Sequence, residues 1–186
     1  MKKISMTLLT LALAACAGKS DRLAAYEQNV TPEARFHLAS LTVNDNSKCP
    51  GGEKHFSKAE LAAIFKTDVK KHLCELKTCA DKPAAGDISV KVVVGYNRVM
   101  NFEAIEGHCS GSYQGAQLAY EFTLSKNGAE FYKDEDRGLE ARRSLFGNIK
   151  RIGVKLSGSG DKEDEKEDID KMTKGIAQRI AAKPKK

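Results

Sequence analysis

The cysteines at positions 49, 74, 79 and 109 are the residues of this chain whose type and spacing point most directly to chemistry. An even set of four is the pattern of two disulfides in an oxidising compartment. Zinc is the alternative ligand of such thiols, but Cys49 and Cys109 stand alone, and Cys74 and Cys79 are more widely spaced than the usual zinc pair. The run Gly-His-Cys-Ser-Gly-Ser-Tyr-Gln-Gly places His108, Ser110 and Ser112 close together, which would suit acyl transfer if a carboxylate oriented the imidazole. The Gly-x-Ser-x-Gly elbow is missing, and Gly111 and Gly115 read more simply as loop residues. His37, His55 and His72 fall into no metal-ligand spacing, and His72 lies beside an apolar helical stripe, where a hydrogen-bonded, half-buried imidazole is expected. Asp161 to Asp170 is acid-rich without the glycine turn of a calcium loop and reads as a solvated helix start. No catalytic, cofactor-binding or metal-binding residue is assigned, and no cofactor is expected.

One charged cluster keeps a functional reading. Arg142, Arg143, Lys150, Arg151 and Lys155 surround the apolar Leu145 and Phe146, a grouping suited to an anionic partner such as lipid phosphates, lipopolysaccharide, cell-wall carboxylates or an acidic protein face. A solvated charged surface is the plainer alternative.

The elements that would position these residues can be read from periodicity. Phe36, Leu38, Leu41 and Val43 suggest a first strand, followed by the turn-rich Asn-Asp-Asn-Ser-Lys-Cys-Pro-Gly-Gly. Ser57-x-x-Glu60 is a capping box, with Phe56 and Leu61 placed as a hydrophobic staple. Beyond it Leu61, Ile64, Phe65, Val69, Leu73 and Leu76 make one apolar helical stripe. Asp87 to Asn101 alternates as a long strand whose middle is apolar on both faces, as a central position in a sheet would explain. Leu118, Tyr120, Phe122 and Leu124 alternate with smaller or polar residues, and Asn127-Gly128 then predicts a type I′ hairpin. Residues 138–160 fit either a helical turn or a strand; a short helical turn followed by a strand is the expectation. A last helix from Lys162 to Ala182 carries Ile169, Met172, Ile176 and Ile180 on one face, with acids early and bases late to suit its dipole.

The fold class expected is α+β, a two-layer sandwich with a largely antiparallel sheet and helices on one face, in the order β-α-β-β-β-(short α/β)-α. The crossover from the first strand through the helix to the second should make those two strands parallel. A parallel pair brings Cys49 and Cys109 to one edge and leaves Cys74 and Cys79 to each other at the far end of the helix, ~30 Å away. Cys49 with Cys109 and Cys74 with Cys79 is therefore the predicted pairing of the three possible.

The chain begins Met-Lys-Lys and continues with an apolar run from Ile4 to Ala14, too short for a spanning helix of roughly 20 residues, so it reads as a secretory signal. Leu13-Ala14-Ala15-Cys16 resembles the lipobox of bacterial lipoproteins. That resemblance implies cleavage before Cys16, a diacylglyceryl group on its thiol and, in Gram-negative species, acylation of the new amine. Two or more acyl chains hold a protein stably to a bilayer where one does so only marginally. An ordinary signal peptide with Cys16 as a bystander is the alternative. Ala17, where inner-membrane lipoproteins tend to carry Asp, implies the outer membrane.

The expected organisation is a signal peptide at 1–15, a lipidated flexible tether at 16–34, a single globular domain at 35–182 and a disordered tail at 183–186. The tether would reach roughly 60 Å when extended; a short helix over Asp21–Gln28 is the alternative there. Loss of Lys2 and Lys3 lowers the formal charge from +6 to +4, too mild for a nucleic-acid partner. Element order loosely resembles small Gram-negative α+β lipoproteins that assist envelope assembly or transport. The function expected is a membrane-anchored, non-enzymatic accessory module binding another envelope component, with a small-ligand or glycan-binding lipoprotein second and an envelope hydrolase third.

Overall fold

The computed structural model describes residues 19–47, 55–100, 113–140 and 160–184. Helix α1 spans Lys19–Asn29, strand β1 Phe36–Asp45, helix α2 Lys58–Leu76, strands β2 Ile88–Met100, β3 Tyr113–Lys126 and β4 Ala129–Glu140, and helix α3 Gly160–Ala181. The sheet order is β1-β2-β3-β4, with β1 parallel to β2 and the other neighbours antiparallel. This is the α+β sandwich expected, in the expected element order.

The local signals that specify these elements act as their chemistry requires. Ser57 caps α2: its hydroxyl accepts from the Glu60 amide at 3.3 Å, and the Glu60 carboxylate accepts from the Ser57 amide at 2.7 Å. Asn127 and Gly128 both hold positive φ, 51° and 82°, which is what a two-residue type I′ turn between twisted strands demands. Leu61, Phe65, Val69 and Leu73 of α2 and Ile169, Met172, Ile176 and Ile180 of α3 are buried against Ile88, Val90, Val92 and Val94 of β2 and Leu118, Tyr120, Phe122 and Leu124 of β3. Removing that much apolar surface from water is the main stabilising force.

Several expectations are corrected. The segment at 16–34 does not run as a flexible tether from Lys19 onward, because the alternative helix forms and buries Leu23 and Tyr26. The Tyr26 ring meets Tyr132 of β4 edge-to-face at 5.5 Å, so two apolar residues three apart suffice when an aromatic strand lies beneath them. The tail is likewise tied down in part, since Lys183 pairs with Glu27; residues 185–186 lie outside the described residues. β4 continues to Glu140, taking Gly138 into a strand; the rest of the ambiguous segment, 141–159, also lies outside. Finally, β2 is central, yet its second face is not buried: Val93 is 42% exposed. All three helices pack on one side of the sheet, and among the described residues nothing covers the other.

Candidate functional site

Of the residues singled out by sequence, Cys74 and Cys79 are joined in a disulfide. Its role is local and mechanical. Cys79 follows the end of α2 and bridges to Phe36, where Phe36 donates to the Thr78 carbonyl at 2.8 Å and accepts from Ala80 at 2.9 Å. The bond thus holds a short strip of chain over the start of the β1 edge, a device that blunts an otherwise open strand. Replacing both cysteines by Ala should cost about 2 kcal/mol, the chain-entropy value for so short a loop. Urea unfolding measures the loss, and faster amide exchange at Phe36 and Ala80 would locate it. Cys16, Cys49, Cys109, His108, Ser110, Ser112 and the basic cluster Arg142, Arg143, Lys150, Arg151 and Lys155 lie outside the described residues. His72 is buried between Glu75 at 3.1 Å and Asp170 at 2.9 Å, the hydrogen-bonded imidazole that its place beside the stripe suggested.

The solvated reading of the α3 start holds for Glu163 and Glu167 but fails at two of its acids. Glu165 and Asp168 are buried within it and form a polar network with strand residues. Glu165 Oε1 accepts from Arg98 Nε at 2.6 Å and from the Tyr96 hydroxyl at 2.8 Å, while Oε2 accepts from the Phe56 amide at 3.1 Å. Arg98 also donates to the Phe56 carbonyl at 2.7 Å and lies 3.7 Å from Asp45. The Tyr113 hydroxyl donates to Asp168 at 2.9 Å. These bonds join β1, β2, β3, the entrance to α2 and α3 at one end of the sheet. Burial alone would raise the Glu165 pKa; the approach of His55, the Arg98 charge, and the bonds from Tyr96 and the Phe56 amide outweigh it and hold the group below the usual carboxylate range. Burial raises the Tyr96 and Tyr113 hydroxyls well above theirs, so both remain proton donors. His55 Nδ1 is buried 3.8 Å from Glu165 Oε2, too far for a hydrogen bond, and has no hydrogen-bond partner among the described residues. The network has the character of a structural lock, since each Glu165 oxygen is already occupied by donors from the chain.

The uncovered sheet face carries a different arrangement. Gly95 of β2 pairs with Ala119 of β3, placing two positions without a long side chain beside each other. Next to Ala119 the β3–β4 register slips between Leu118 and Tyr120, so β4 bulges at Arg137–Gly138. The result is a depression of about 310 Å³ floored by Gly95, Leu118 and Ala119 and walled by Asn46, Asn97, Gln117 and Arg137. Among the described residues the Asn46 and Asn97 side-chain amides have no hydrogen-bond partner. No packing constraint calls for glycine at 95: its φ is ordinary, and an added Cβ would approach nothing closer than Asn46 Nδ2 at 3.6 Å. Glycine inside a strand costs up to about 1 kcal/mol relative to Ala, and it often marks a close approach by another molecule. Sequence reasoning missed both features. Among the described residues no group of His, Cys, Asp and Glu side chains is arranged to hold a metal, and no helix is long and apolar enough to cross a membrane.

No family model and no curated protein matches the chain. Among solved structures it is similar to the rare lipoprotein B from Shewanella oneidensis, at 14% identity and a TM-score of 0.30, over 76% of this chain and 93% of that one. It is also similar to a structure described as an uncharacterized protein, at 12% identity and a TM-score of 0.37, over 78% and 92%. Likenesses at this level carry no functional argument, and the weight falls on the chain's own residues.

Proposed function

We propose that this chain is a lipid-anchored accessory protein of a bacterial envelope, without enzymatic activity, that binds another envelope component through the uncovered face of its sheet. The anchoring half rests on the resemblance of Leu13-Ala14-Ala15-Cys16 to a lipobox, and Ala17 favours the outer membrane. The binding half rests on one observation, the one-sidedness of the sandwich: Val93 is 42% and Val99 36% exposed on a face that also holds a shallow depression lined by Asn46, Asn97 and Gln117. Large apolar side chains that no helix covers are suited to a partner surface. The buried carboxylates Glu165 and Asp168, by contrast, face the sheet from α3 and are bonded within the fold.

Photo-crosslinking in intact cells tests both halves. With a photoreactive residue in place of Val93 in the full-length lipidated chain, a discrete adduct is expected; with the same residue in place of Lys171, 60% exposed on the helical side, none is. Cys16→Ala should release the chain from washed membranes or leave it unprocessed. Adducts from Lys171 alone, or a Cys16→Ala chain processed and anchored like the wild type, would overturn the corresponding half.

A further inference from the structure

We propose that the depression on the uncovered sheet face is a binding site for a carboxylate-bearing sugar. Its location makes it a refinement of the binding reading above, but it depends only on that face and would hold whether or not Cys16 carries lipid. Three observations converge on it. First, the floor is kept clear at a cost: Gly95 sits in the middle of a strand, where it is disfavoured, at a position with room for a Cβ. A glycine that packing does not require is explained if the Gly95 backbone and the Ala119 methyl must lie against a ligand. Second, the walls carry unspent hydrogen-bonding capacity. The Asn46 and Asn97 amides have no partner among the described residues, and each offers two donors and an acceptor, the mixture that matches sugar hydroxyls, which both donate and accept. Third, the bulge at Arg137–Gly138 brings one cation to the rim. Arg137 is 80% exposed and, among the described residues, engages only Glu135 of its own strand, at 3.3 Å. Such a pair is weak in water, so a ligand carboxylate can displace Glu135 and take the planar guanidinium bidentately.

The size agrees. A depression of about 310 Å³ is at the lower end of ligand sites and accommodates one or two sugar rings. The C–H face of a ring would rest on the Ala119 methyl and Gly95 Cα, its hydroxyls would meet Asn46 and Asn97, and its carboxylate would meet Arg137. A cationic ligand is disfavoured by Arg137, and a purely apolar one would strand the amides.

The test uses the full chain in micelles of a detergent without a sugar headgroup, with glucuronate and glucose as probes and amide chemical shifts as the readout. Glucuronate should move the amides of Gly95, Asn97, Gln117, Ala119 and Arg137, with half-saturation at ~1 mM as expected for a ligand of this size. Glucose should bind at least about fivefold more weakly, and R137Q should bring the two sugars to parity. G95T should abolish binding while its melting temperature stays equal to or above that of the wild type, which separates a filled site from a damaged fold. Shifts confined to the helices, no shifts with either sugar, or G95T binding glucuronate like the wild type would each overturn the proposal. The crosslinking experiment could still succeed in that event, so the two readings fail separately.

Discussion

Glu165→Ala should destabilise the fold by about 3–5 kcal/mol, the scale for removing one partner of a buried ion pair, seen as a fall in the urea midpoint with little change in slope. The loss is large because of what the substitution leaves behind. Arg98 has a fully buried side chain and would lose its closest partner, at 2.6 Å, while the Tyr96 hydroxyl and the Phe56 amide would be stripped of their acceptor. Glu165→Gln should cost less, since it keeps oxygen and shape but not charge. Replacing both residues, as Arg98→Met with Glu165→Leu, should recover the part of the loss that comes from the stranded Arg98 charge, because an apolar pair avoids desolvating two charges, while the Tyr96 hydroxyl and the Phe56 amide still lack their acceptor. The same network sets an acid limit. Glu165 is held below its usual pKa in the folded chain, so its contribution is fully present above the unfolded value of about 4.3 and is lost as pH falls through the folded value. The stability difference between wild type and Glu165→Gln should therefore narrow below about pH 4. A Glu165→Ala chain within about 1 kcal/mol of wild type, the size of an exposed pair, would show that the network contributes little.

The network was nonetheless written in the periodicities. Arg98 falls in phase with Val90, Val92, Val94 and Tyr96, all inward-facing on β2, so strict alternation places it inside. Glu165 and Asp168 stand four residues before Ile169 and Met172, on the apolar face of α3. What concealed them was composition. An arginine near a strand end and acids in a run of acids read as solvated, and the pairing spans 67 residues of sequence, which no local pattern reports. By contrast, the capping box, the Asn-Gly turn and the β-α-β crossover depend on neighbouring residues or on the handedness of a single connection, and those expectations agree with the structure. Gly95 illustrates a third case. Its meaning appears only when β2 is set beside Ala119 of β3 and the bulge of β4, because the depression belongs to three strands at once.

The two faces of the sheet divide the work, and this division supports the binding reading. The buried ionic and aromatic groups that order the fold lie between the sheet and the helices, where Tyr96, Arg98 and Tyr113 of the strands bond to Glu165 and Asp168 of α3 or to backbone. The uncovered face carries, beside the exposed Lys133–Glu121 ion pair, apolar, amide and glycine positions for which the described fold shows no packing role. A substitution on one face should consequently leave the other's property intact.

Phe65→Ala on the inner face should be the second most damaging change, at about 3–5 kcal/mol. Phe65 has no exposed surface and packs edge-to-face on Tyr96, with ring centroids 5.7 Å apart and planes at 71°. Truncation removes that aromatic contact and leaves a cavity between α2 and β2. It also removes the wall against which Tyr96 is held as a donor to Glu165, so the apolar loss and the polar network are coupled. A double-mutant cycle with Tyr96→Phe should therefore show an interaction energy above about 0.5 kcal/mol. Val93→Ala, on the opposite face of β2 from Tyr96 and already 42% exposed, should change stability by no more than about 0.5 kcal/mol while weakening the crosslink to the partner. If Phe65→Ala and Val93→Ala proved equally costly, Val93 would have to be buried in the native protein. The face proposed for binding would then be an interior surface, and both the envelope-partner and the sugar readings would lose their footing.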